Sequence, residues 1–118
     1  MTKVFIEIRH DGKIGTHLCS KSDNIPLERL QQIVRGNIAT VPSRIEGAVL
    51  IVDADAKNDG LPRNDTATAI IAPDIFDWIA GTAVLVKVED GKYFGFDRPI
   101  AGKCIKDIER RRRKRVEK

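Results

Sequence analysis

Ser22-Asp23-Asn24-Ile25-Pro26-Leu27-Glu28-Arg29-Leu30-Gln31-Gln32-Ile33-Val34-Arg35-Gly36 carries the punctuation of a helix. Asn24 or Ile25 stands at the cap position, Pro26 fits the first turn, and Gly36 offers a left-handed stop. Leu27, Leu30, Ile33 and Val34 recur at spacings of three and four, so they share one apolar stripe. Such a stripe needs a surface to cover it, and the flanking segments read as strands of a sheet.

Val4-Phe5-Ile6-Glu7-Ile8 is β-branched and aromatic and ends at the turn pair Asp11-Gly12. Lys13 to Cys19 alternates Ile14 and Leu18 with polar neighbours, which suits the second strand of a hairpin despite Gly15. Asn37 to Val41 reads as a strand ending at Pro42, and Gly47 to Asp53 as a buried apolar strand. Asp55 to Gly60 is turn chemistry. Leu61 to Ile71 stays mixed, because Pro62 and Asn64 argue for a loop while the pattern after Thr66 allows a strand or a short helix. Pro73 to Ile79 is amphipathic with acidic residues in its first turn, which predicts one to two turns of helix ending at Gly81.

Ala83 to Val88 reads as a strong strand, and Asp90-Gly91 as the hairpin turn into Tyr93-Phe94-Gly95-Phe96. From Cys104 onward, Ile105, Ile108 and Arg112 fall on one helical stripe, followed by a run that is polar all round. The expected fold is α+β: a small, mostly antiparallel sheet of hairpins packed against one main helix, with a C-terminal basic helix. Residues 1–102 are expected to form a single α+β domain and 103–118 a basic helical tail.

Composition agrees with one such domain. The 118 residues are 42% hydrophobic, enough to offset the entropy of ordering without staples. The longest apolar run, Ala48 to Val52, is far too short to cross a bilayer. Glu7 and Arg9 interrupt the stretch where a secretory signal would stand, so no export signal is expected. Cys19 and Cys104 have neither CxxC spacing nor a neighbouring His cluster, which suggests two reduced thiols and a cytoplasmic setting, with a disulfide between them as the alternative. Charge is uneven. Residues 103–118 hold nine Lys/Arg against three Asp/Glu, so the body is slightly acidic and the tail accounts for the net +4.

Two stretches, Leu30-Gln31-Gln32-Ile33-Val34-Arg35-Gly36-Asn37-Ile38 and Gly60-Leu61-Pro62-Arg63-Asn64-Asp65-Thr66-Ala67-Thr68, resemble the small bacterial and phage proteins grouped as domain of unknown function 3846. That family shows a helix ending in a Leu-Gln-x-x-Val-Gly-Gly-Tyr-Ile-like signature and an apolar strand with an acidic turn. Gly-Leu-Pro-x-Asn-x-x-Ala follows, and then a final Gly before an apolar strand, which here is Gly81 to Val88. The resemblance spans residues 27 to 88. Arg35 replaces a small residue and Asn37 occupies the aromatic position, so a site lined by that aromatic in relatives is altered here. The resemblance implies a phage or mobile-element context and brings no established catalytic residues.

The candidate ligand-binding residues are Arg63, Asn64 and Thr68. Asn64 can donate and accept at once, and the Arg63 guanidinium suits a carboxylate or phosphate. Equally, Asn64 can tie its own turn to the backbone. Asp53-Ala54-Asp55-Ala56-Lys57-Asn58-Asp59-Gly60 looks like a calcium loop but puts Lys57 at the fifth position and closes without Glu. His17 and Cys19 share a strand face without the four ligands of a zinc site. Ser20, Ser22 and Ser43 lack a nucleophile elbow, and no phosphate loop occurs. No metal or cofactor is implied. Arg110, Arg111, Arg112, Arg113, Lys114 and Arg115 form a cationic run that either contacts nucleic-acid phosphates through counterion release or is a solvated terminus. Phe76 and Trp78 are candidate anchors of a homo-oligomer. The expected function is a non-catalytic accessory protein binding a small polar ligand or a protein near Arg63 and Asn64, with phosphate binding by the tail as the alternative. A small hydrolase or transferase would need a pocket gathering Asp53, Asp74 or Asp77 with a raised pKa.

Overall fold

The computed structural model describes residues 3–19 and 23–116, with side chains as far as Arg112. In chain order the elements are β1 (Val4–Ile8), β2 (Ile14–Leu18), α1 (Leu27–Val34), β3 (Ile38–Pro42), β4 (Val49–Asp53), α2 (Asp65–Thr68), β5 (Ala83–Glu89), β6 (Lys92–Phe94) and α3 (Arg98–Val116). The strands form one antiparallel sheet in the order β2-β1-β5-β4-β3, and β6 pairs with the far end of β5. Leu85 of β5 sits opposite Ile6 of β1 on one side and Leu50 of β4 on the other. The α+β architecture is the one the alternation of strands and helices points to.

Side-chain alternation along the central strands divides the core in two. Phe5, Ile51, Val84 and Val86 face α1, where Leu30, Val34 and Ile25 cover them. Ile6, Ile8, Leu50, Ala83 and Leu85 point to the opposite face. There they meet Ala67 and Ile70 around α2 and Ala101, Cys104 and Ile108 of α3. The centre of the sheet is therefore buried on both faces, which is why β4 and β5 read as unbroken apolar runs. Cys19 packs on the α1 face and Cys104 on the other; both are free thiols.

Helix α3 starts at Arg98 and crosses the Gly102–Lys103 boundary expected between body and tail. Its buried stripe is Ala101, Cys104 and Ile108 with Ile105 beside it, and Arg112 donates to the carbonyl of Gly12 at 2.6 Å. Among the described residues, no helix is long and apolar enough to cross a membrane.

Three local expectations are corrected: the cap at Asn24 or Ile25, the stop at Gly36 and the helix over 73–79. The left-handed residue ending α1 is Arg35 (φ 65°), whose N–H bonds to the Gln31 carbonyl, and Gly36 serves a different need. A Cβ on Gly36 would lie 2.8 Å from Oδ1 of Asp53, so the missing side chain permits a close approach. Pro26 occupies the cap position of α1 without a side-chain cap bond. Residues 73–79 form a turn and extended chain rather than a helix. Their backbone is engaged elsewhere: the Ile79 carbonyl accepts from the Asn64 N–H, the Ile79 N–H donates to Thr68 Oγ1, and the Trp78 N–H donates to Asp77. These groups are thereby unavailable for helical i→i+4 bonds.

Candidate functional site

The sequence-predicted trio Arg63, Asn64 and Thr68 lies at the entry to α2, and the structure gives its members different surroundings. Asn64 is wholly buried. Its Oδ1 accepts from the Ala67 N–H and caps α2, while its Nδ2 donates to the carbonyls of Ile8 and Gly81, each at 2.9 Å. Thr68, also buried, donates from Oγ1 to the Asn64 carbonyl at 2.7 Å and accepts from the Ile79 N–H at 3.0 Å. The chain at 62–64 also pairs antiparallel with 79–81 through Gly81 N–H to Pro62 O and Asn64 N–H to Ile79 O. Asn64 and Thr68 thus fasten the segment that carries Trp78. Arg63 alone of the three faces solvent, with Nε 2.9 Å from Asp65.

That fastening builds a face. The Arg63 guanidinium stands 5.5 Å from the centre of the Trp78 ring, and the Lys57 ammonium stands 4.6 Å from it. Lys57 also pairs with Asp77, whose carboxyl is held below the usual carboxylate range by that hydrogen bond and by the Trp78 N–H. Beside them Phe76 is 98% exposed, and Ile75, Trp78 and Leu61 are each more than one-third exposed. Under Trp78 runs a shallow cavity of about 190 Å³ lined by Val41, Val52, Asp53, Lys57, Asp77 and Ile79.

A second, more polar cleft of about 410 Å³ opens between the end of α1, the end of β1 and the start of β5. Arg9, Arg35, Asp53, Asp59 and Thr82 line it. Asp53 borders both cavities and is only 7% exposed.

The family model described as Domain of unknown function (DUF3846) matches residues 9–105. The chain belongs to this family. The DUF3846 match runs from the end of β1 into α3 and so takes in both cavities, a longer span than the two motifs that carry the resemblance. Comparison with curated proteins and with solved structures gives no match. Within this DUF3846 chain Asp53 and Asp77 border one cavity, but the Asp77 carboxyl is lowered rather than raised, and Asp74 does not line that cavity.

Arg110, Arg111 and Arg112 line neither cavity. Arg110 and Arg111 bond to Asp107, and Arg112 lies 3.8 Å from Glu109 while bonding to Gly12. The side chains of Arg113, Lys114 and Arg115, like residues Ser20 and Ser22, lie outside the described residues. His17 bonds to Glu7 at 2.6 Å and stacks on Phe5, and Cys19 is buried behind it. Lys57 and Arg35 carry no sequence signal of their own, because their neighbours Trp78 and Asp53 reach them only through the fold.

Proposed function

We propose that this chain is a non-catalytic accessory protein of phage or mobile-element type, a cytoplasmic binding module that docks a protein partner through Phe76, Trp78 and Arg63. One observation carries the reading: Phe76 is 98% exposed. Covering such a ring is worth about 1.5–3 kcal/mol, and exposed apolar groups gathered in one patch mark contact surfaces. Trp and Arg are the residue types that dominate protein interfaces, and here both stand on a segment anchored from within by Asn64 and Thr68. A preorganised face loses little entropy on docking. The two unbridged, buried thiols support a reducing compartment.

The test places a photo-crosslinking benzoylphenylalanine at position 76 in cells that make the protein, with adducts identified by mass spectrometry. A discrete adduct of one partner protein, lost on Trp78→Ala, is the expected result. Adducts with nucleic acid, or none, overturn the reading. A parallel titration against random duplex DNA at several salt concentrations distinguishes the tail: steep salt dependence abolished by removing residues 110–118 would favour phosphate binding instead.

A further inference from the structure

Asp53 is 93% withdrawn from solvent by its residue exposure, yet its carboxylate receives one side-chain hydrogen bond among the described residues, from the Asp55 N–H at 2.9 Å. No described cation lies in ion-pair distance of it. It presses against the chain at Gly36, immediately after α1. A buried carboxylate calls for a cationic or hydrogen-bonding partner, and the described residues supply the Asp55 N–H alone.

The cleft in front of Asp53 holds opposite charges that do not meet. At the rim Arg9 pairs with Asp11 at 3.2 Å, and Glu7 is hydrogen-bonded to His17 at 2.6 Å. Arg35 and Asp59 have no ion pair or side-chain hydrogen bond among the described residues, although both line the cleft with Asp53. Arg35 is held there in a left-handed backbone conformation, φ 65°, that non-glycine residues seldom adopt. At about 410 Å³ the cleft has the size of a small-molecule site. A single buried carboxylate suits an organic ammonium, whose N–H groups it can accept from.

From this we infer that the cleft binds a small zwitterion of dipeptide size, its ammonium on Asp53 and its carboxylate on Arg35. The ligand supplies both charges that the protein keeps apart. This site is distinct from the Phe76–Trp78 face, and neither reading depends on the other.

The probe is the dipeptide alanylalanine, titrated into the full chain and followed by amide chemical shifts. Saturable shifts at Arg35, Asp53 and Thr82 are expected. N-acetyl-alanylalanine and alanylalanine amide, which each lack one charge, are expected to bind at least about ten-fold more weakly. Arg35→Gln and Asp53→Asn are expected to weaken the dipeptide by a similar factor while circular dichroism stays unchanged. Arg35 is exposed, so Arg35→Gln provides the test even if Asp53→Asn perturbs folding. Absence of saturation with alanylalanine, equal binding of the capped forms, or undiminished binding by folded Arg35→Gln overturns the inference.

Discussion

The side-chain amide of Asn64 donates to the carbonyl of Ile8 across 56 residues of sequence, joining the cap of α2 to the end of β1. Asn64→Ala would leave the Ile8 and Gly81 carbonyls and the Ala67 N–H without their partner inside the protein. At about 1–3 kcal/mol for each buried group so stranded, a loss of at least roughly 3 kcal/mol is expected. Urea unfolding with an unchanged m-value measures it, and a loss below about 1 kcal/mol would contradict the role given to this residue.

Ile108 is fully buried against the sheet although it lies ten residues into α3. Ile108→Ala is expected to destabilise the protein by about 2–5 kcal/mol. Arg112→Ala, which removes the bond to Gly12 and the exposed pair with Glu109, should cost about 1 kcal/mol. A chain ended at Gly102 loses Cys104 and Ile108 together and is expected to lack a cooperative thermal transition in calorimetry.

Gly95 lies against both β1 and Cys19. A Cβ there would approach the Val4 carbonyl oxygen to 2.7 Å and crowd the Cys19 sulfur. Gly95→Ala should destabilise by about 1–3 kcal/mol. Adding Cys19→Ala relieves the sulfur clash but leaves the carbonyl one, so a double-mutant cycle should recover part of the loss and not all of it.

Burial pushes both thiols, Cys19 and Cys104, above the usual value of 9.0, with the nearby Asp23 and Asp107 carboxylates adding to it. Maleimide labelling of the native protein at pH 7.5 should therefore be much slower than in denaturant. A raised thiol pKa favours the folded state fully below the unfolded value. That advantage is lost as pH rises past 9, so melting temperature should fall above pH 9, and Cys104→Ala should flatten the fall.

Phe76→Ser removes a ring that touches solvent on nearly every side. Unfolding free energy should stay within about 0.5 kcal/mol of the parent. A large destabilisation would mean that the ring packs in solution.

The strands were legible because their information is local. Val4 to Ile8 and Ala83 to Val88 are β-branched runs, and Asp90-Gly91 adopts the two positive φ angles, 51° and 76°, that its hairpin requires. Arg35 and Gly36 were harder. Glycine is the commoner left-handed stop, but here its missing Cβ makes room for Asp53, a residue seventeen positions away that no local rule weighs. Pro73 to Ile79 has the spacing of a helix, and loses it to hydrogen bonds that Ile79 accepts from the Asn64 N–H and donates to Thr68. Thr68 and Asn64 stood out as polar residues in a loop; that they turn inward and fasten Trp78 follows only from the placement of Ile8 and Gly81. Helix α3 was read from Cys104 because Gly102 resembles a break, whereas Ala101 before it already faces the core.

The strand that joins the sheet is also one of the last to be made. With β1 and β4 pairing to β5 and not to each other, the hairpins β1–β2 and β3–β4 have no shared edge until residues 83–89 have left the ribosome. Nascent chains shorter than that hold two unattached ribbons, each marginal by itself. Assembly should therefore be a late, single event dominated by distant pairings, in the millisecond-to-second range of such topologies.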